Sequence, residues 1–152
     1  MMVARDGSLS RALAEAALGW RWADLPRDVQ RQALRSLVNF FACALAGFRD
    51  PAVTTAARVL ARVGPQGVFT RIGSGTTASL FHAASLNAMA ANVFDFDDTH
   101  LPTIAHPTAP VAPVALALSQ TRRVSGIELL EAITAGIELQ CRIASGDRKS
   151  VV

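Results

Sequence analysis

Residues 94–107 read FDFDDTHLPTIAHP. They carry Asp95, Asp97 and Asp98, three of the chain's twelve acidic residues, and His100 and His106, two of its three histidines. Carboxylates and imidazoles this close together suit three chemistries: phosphoryl transfer, metal binding or acid–base catalysis. Imidazole has a reference pKa of about 6.5, so a histidine such as His106 can take or give a proton near neutrality. Pro107 restrains the backbone beside it, and Thr99 offers a hydroxyl donor.

The phosphoryl-transfer reading rests on Asp95-Phe96-Asp97-Asp98-Thr99, which satisfies the D-x-D-x-T pattern of haloacid-dehalogenase-type phosphatases. That chemistry needs a buried strand before the motif, to project the first carboxylate beside Mg²⁺. The preceding SLNAMAAN is a poor strand and a good helix. For metal binding, Asp97, Asp98, His100 and His106 have suitable ligand types, but their spacing matches no known cage, so no metal is assigned. Ordinary structural roles compete at each position. Asp97 and Asp98 suit a cap or an arginine pair. His82 reads as a packing histidine, and Asn87 and Asn92 suit either a pocket wall or hydrogen bonds within their helix.

The elements that must position these side chains are helical nearly throughout. Ser10 to about Leu18 reads as a first helix. After Pro26, Val29, Ala33, Leu37, Phe40, Phe41 and Ala44 recur at helical spacing up to Gly47, with Arg27, Arg31 and Arg35 on the solvated face. Pro51 opens a third helix that Gly64 closes, with Val53, Ala57 and Leu60 facing inward. FTRIGSG has strand or loop character, broken by Gly73 and Gly75. From Thr76 to about Val93 the alanine-rich pattern predicts a helix at the centre of a bundle. The segment through Pro107, Pro110 and Pro113 is expected to be extended before turning helical. Ser125 and Glu128 form a capping box at the start of the last strong helix. The fold class is therefore all-α, a helical bundle, with the acidic motif at a helix–loop junction.

The totals exclude several classes. A chain of 152 residues is long enough for one domain with a sizeable core. Half of it is apolar (51%). The net charge of +3 comes from fourteen Arg and one Lys spread without a dense basic run, which argues against a nucleic-acid surface. No apolar stretch is long enough to span a membrane. Cys43 and Cys141, without CxxC spacing, read as buried core thiols and suit a reducing, cytoplasmic setting.

Four segments, LPRDVQRQALRSLVNFFACALAG, ASLNAMAANVFDFDDTH, HPTAPVAPVALALSQ and SGIELLEAITAGIELQCRI, occur in an order and at distances that resemble the N-terminal helical part of the MmgE/PrpD family. That family includes 2-methylcitrate dehydratase, cis-aconitate decarboxylase and iminodisuccinate epimerase. The resemblance covers about residues 8 to 144, taken as one partial helical domain (1–144) with an unmatched tail (145–152). DFDDTH…HP is its most specific piece. It implies a cofactor-independent lyase or isomerase acting on small polycarboxylates, by moving a proton or CO₂ next to a carboxylate. The site would lie between the helical domain and a smaller α/β domain. Residue by residue, it implies catalytic roles for Asp95, Thr99 and His106, with His100 as a further substrate contact. Where the family commonly has Asn-Gly and then a histidine before this run, the chain has Asn87-Ala88 and Asn92. Facing an anionic substrate, Asp95 must be protonated by burial, paired with a cation, or used to orient a histidine. Family members are much longer, so the chain is expected to lack basic catalytic residues, to be inactive alone, and to pair as a homodimer through its uncovered apolar faces. A non-catalytic interaction module or a divalent-metal-binding helical protein is the alternative.

Overall fold

The computed structural model describes residues 8–64 and 66–147. Among them the chain forms α1 (Ser8–Gly19), α2 (Arg27–Gly47), α3 (Pro51–Val63), a hairpin of β1 (Phe69–Arg71) and β2 (Thr76–Ala78), α4 (Leu80–Asn92), α5 (Thr108–Ser119) and α6 (Gly126–Asp147). The all-α expectation holds, with the hairpin as a small addition.

Local chemistry sets most of the helix boundaries. Asp50 accepts from the Ala52 N–H at 2.8 Å, and Pro51 occupies the first turn of α3, where a missing N–H costs nothing. Ser125 and Glu128 bond reciprocally before α6: Ser125 N–H donates to Glu128 Oε2 at 2.7 Å, and Glu128 N–H to Ser125 Oγ at 3.2 Å. The helix runs on past Ile143 to Asp147. A 3-10 turn at Trp22–Asp24 is tied to α6, because Trp22 N–H donates to Glu131 Oε1 at 2.6 Å.

α4 lies at the centre, as its alanines predict, and buries Ala83, Ala84, Leu86, Asn87, Ala90 and Ala91. Small side chains let α2 approach closely. A Cβ at Gly47 would stand 2.1 Å from the Ala90 carbonyl oxygen, so only glycine fits that crossing. Phe40, Val53 and Ile133 fill the core around the alanines of α4 and α5; full burial of each such side chain is worth ~1.5–3 kcal/mol. Cys43 is buried and Cys141 half-buried, both as free thiols.

Two expectations need correction. Thr76–Ala78 is a strand and not the start of α4: it pairs antiparallel with β1, Arg71 opposite Thr76 and Phe69 opposite Ala78. Gly73 and Gly75, at φ +75° and +68°, make the turn. Buried Asn87 fixes the hairpin to α4, accepting from Ile72 N–H at 2.8 Å and donating to the Thr70 carbonyl at 3.0 Å. Ser79, whose hydroxyl accepts from His82 N–H at 3.4 Å, then starts the helix. The second correction concerns Pro107, Pro110 and Pro113, which do not keep the chain extended. α5 begins at Thr108. Pro107 stands at the cap and Pro110 in the first turn, where backbone donors have no helical partner in any case, so only Pro113 removes a helical bond.

Candidate active site at the junction of α4 and α5

α4 stops where Asp95 turns left-handed, at φ +58°, with its N–H on the Asn92 carbonyl at 2.9 Å. A short polar side chain tolerates this conformation better than most, at about 1–2 kcal/mol. The chain next runs under α2, where Asn39 donates to the Phe96 carbonyl at 3.1 Å. Asp97 follows with its side chain only 2% exposed. Asn92 Nδ2, from the last turn of α4, donates to both of its oxygens, at 3.1 and 3.3 Å. A buried carboxylate needs such partners, since unpaired it would be costly to remove from water.

Residues 100–105 then fold into a tight loop. His100 N–H donates to the Ala105 carbonyl and Ile104 N–H to the His100 carbonyl, each at 2.8 Å, with Ile104 at φ +55°. Asp98 closes the structure from ten residues upstream of α5. Its carboxylate accepts from the Thr108 N–H at 3.2 Å and from the Thr108 hydroxyl at 2.5 Å. Pro107 has no side-chain cap to offer, so Asp98 serves as the cap of α5.

The result is that His106 returns between two carboxylates. Its Nδ1 lies 3.1 Å from Asp97 Oδ1 and its Nε2 lies 3.3 Å from Asp95 Oδ1. These are ion pairs when the ring carries a proton. The Nδ1 contact is one of distance and not of hydrogen-bond geometry, so this buried nitrogen has no bonded partner. The Asp95 side chain is 81% exposed, so it is not protonated by burial, and its carboxylate lies against His106. Beside His106 an open depression of about 340 Å³ is lined by Ala88, Met89, Asn92, Ala109 and Pro110, with no lysine or arginine. Cys43 registers the negative charge from below: burial pushes its thiol up, the Asp97 and Asp98 carboxylates push it further, and a bond with Asn39 opposes them.

A comparison with known families now decides the relationship: residues 11–149 match the MmgE/PrpD N-terminal domain. The chain belongs to the MmgE/PrpD family. Among curated relatives it is 26% identical over 147 residues to the cis-aconitate decarboxylase-like protein oryM of Aspergillus oryzae, covering 92% of this chain and 30% of that protein. Over 66 residues it is 44% identical to the cis-aconitate decarboxylase of Mus musculus, covering 41% of this chain and 13% of the enzyme. The Aspergillus terreus enzyme of the same name is 29% identical over 125 residues, 79% of this chain and 26% of the enzyme. The chain thus spans less than a third of the length of these relatives.

The MmgE/PrpD motif residues are not all gathered in one place. Asp95 and His106 meet, while Thr99 is exposed and nothing joins its hydroxyl to them among the described residues. The His100 ring turns into its own loop, with Nδ1 2.7 Å from Thr103 Oγ1. Asp97 and Asp98 have the structural partners just described, though neither pairs with an arginine. His82 packs against Gly64, where a Cβ would stand 1.7 Å from its ring. Helix α4 precedes the D-x-D-x-T run, so the strand that a phosphatase needs is absent there. Among the described residues one metal-capable group forms, of a different composition from the set considered from the sequence. Ligand atoms of Asp95, Asp97 and His106 lie within 4.8 Å of one another, while Asp98 and His100 are engaged elsewhere. Asn39 and Thr108 are participants that sequence reasoning missed, although both lie within segments that carry the family resemblance.

Proposed function

We propose that this chain forms the proton-handling half of a lyase site for small polycarboxylates, with decarboxylation of a cis-aconitate-type substrate as the leading reaction. The observation that carries this reading is the meeting of His106 with Asp95 and Asp97 at the end of α4, in a domain of this family. The names of the curated relatives favour decarboxylation over dehydration or epimerisation. When CO₂ leaves, the electron pair of the broken C–C bond stays on the substrate and a proton must reach carbon. Protonated His106 supplies it from Nε2, the nitrogen on the side of exposed Asp95, while the buried Asp97 carboxylate, 3.1 Å from Nδ1, balances the charge of the ring. Thr99, whose hydroxyl is exposed, is assigned a substrate carboxylate, while the His100 ring stays on Thr103 in its own loop. No redox step is needed, so no cofactor is assigned. The cations that neutralise a polycarboxylate are absent from the depression beside His106 and are assigned to polypeptide beyond this domain. The 152-residue chain alone is therefore expected to be inactive.

The test uses the gene product as purified from its own cell and the 152-residue chain, each given cis-aconitate, methylcitrate and iminodisuccinate. The native product should turn over one of them, and His106→Gln should lower kcat at least about 100-fold, the lower range of general acid–base contributions. No turnover of any substrate, or full activity in His106→Gln, overturns the assignment. Efficient turnover by the 152-residue chain refutes its dependence on further polypeptide.

A second reading draws on the metal-capable group. If Asp95, Asp97 and His106 hold a divalent cation, Zn²⁺ or Mn²⁺ should raise the melting temperature, chelator should reverse the effect, and Asp97→Asn should abolish it. No shift with either ion refutes it.

A further inference from the structure

Asn92, the last residue of α4, reaches both residues whose carboxylates flank His106. Its carbonyl accepts the Asp95 N–H at 2.9 Å, and its Nδ2 donates to both oxygens of Asp97, at 3.1 and 3.3 Å. An ionised carboxylate only accepts hydrogen bonds, so the amide must present its nitrogen there. Asp97 has no lysine or arginine partner among the described residues. Its side chain is 2% exposed, so the Asn92 amide and the His106 ring replace water around its charge.

A neutral amide holds a carboxylate without cancelling its charge, as a lysine or arginine in its place would do. Asp97 Oδ1 receives Asn92 Nδ2 and also lies 3.1 Å from His106 Nδ1. That buried nitrogen has no aligned hydrogen bond, a common state of catalytic contacts before substrate binds. On the other side exposed Asp95 lies 3.3 Å from Nε2, so two carboxylates compete for the ring proton. We propose that Asn92 is a positioning residue: its amide fixes the Asp97 carboxylate against His106 Nδ1, so that the neutral ring keeps its proton on Nδ1 and the protonated ring delivers from Nε2. Its catalytic meaning rests on the acid role proposed for His106; Asn92 acts through Asp97 and not on substrate.

The experiment has two readouts. In the purified chain, long-range ¹H–¹⁵N spectra of the histidine rings show which nitrogen carries the proton when the ring is neutral, the His106 signals being assigned by their loss in His106→Gln. Wild type should show His106 protonated on Nδ1, and Asn92→Ala should move the proton to Nε2, beside Asp95. In the gene product made in its own cell, Asn92→Ala should lower kcat about 10- to 100-fold, up to the loss that follows a misplacement of about 1 Å, with KM within about twofold. In an Asp97→Asn background the same change should cost nothing further in kcat, because both act through one carboxylate. Asn92→Leu, which keeps the size of the side chain without its donor, is the second variant and should match Asn92→Ala. Wild-type His106 protonated on Nε2, an unchanged tautomer in a folded Asn92 variant, or losses that multiply in the double variant each overturn the proposal. So does a loss confined to KM, since Asn92 edges the depression beside His106 and would then be a substrate contact. If His106→Gln is fully active, the acid role of His106 falls; if it is inactive while Asn92→Ala keeps wild-type kcat, only the role of Asn92 falls.

Discussion

Asp98→Ala removes the acceptor that caps α5 from ten residues upstream. It leaves the Thr108 N–H and hydroxyl, both in a residue 1% exposed, without a partner. Loss of a helix cap costs about 1 kcal/mol, and a buried donor left unsatisfied costs about 1–3 kcal/mol. The two overlap, since the Thr108 N–H belongs to both, and we expect about 2–3 kcal/mol in total. For a chain of this size 1 kcal/mol moves the melting temperature by about 2–4 °C, so the transition should fall by about 5–10 °C. Asp98→Asn keeps one carbonyl acceptor and should lose about half as much. Chemical denaturation of the wild type, Asp98→Ala, Thr108→Val and the double variant gives the coupling directly. A coupling energy near zero, or Asp98→Ala within 0.5 kcal/mol of wild type on that scale of surface substitutions, refutes the bond as the closure of the loop that carries His106.

Further outcomes follow from other contacts. Gly47→Ala drives a Cβ into the Ala90 carbonyl and should cost about 3 kcal/mol or prevent folding; a melt like that of wild type rules out the close crossing of α2 and α4. Glu128 is held below the ordinary carboxylate range by the backbone N–H and then the hydroxyl of Ser125. A depressed carboxyl stabilises the fold above its unfolded value and loses that contribution as pH falls through the folded one. The stability gap between wild type and Glu128→Gln should thus be present at pH 7 and shrink below about pH 4.3; melts showing an equal gap at pH 3 contradict it. Leu34, Val38 and Leu45 are exposed on α2, and Phe81, Phe96 and Leu101 elsewhere. We expect a dimer or larger species in sedimentation velocity, and a monomer at all concentrations counts against it.

Much of the fold was readable where the signal is local. A proline opens α3, a serine and a glutamate three residues apart start α6, and apolar spacing marks α2. Each acts within one or two helical turns, so neighbouring residues suffice to decide it. The family resemblance implied one site for Asp95, Thr99 and His106; Asp95 and His106 meet, while Thr99 and His100 lie apart from them.

The failures share one cause. Thr76–Ala78 has helical neighbours, but pairing with Phe69–Arg71 and the grip of Asn87 outweigh local propensity. Pro107, Pro110 and Pro113 look like breakers until Asp98 supplies the missing cap. Composition and periodicity thus determined a helical bundle with an acid–imidazole junction. Tertiary structure alone decided which carboxylate faces His106, which caps α5, and that Asn39 joins the loop from 57 residues away. Buried polar groups must find partners wherever the folded chain brings them, and sequence distance does not record which partner that will be.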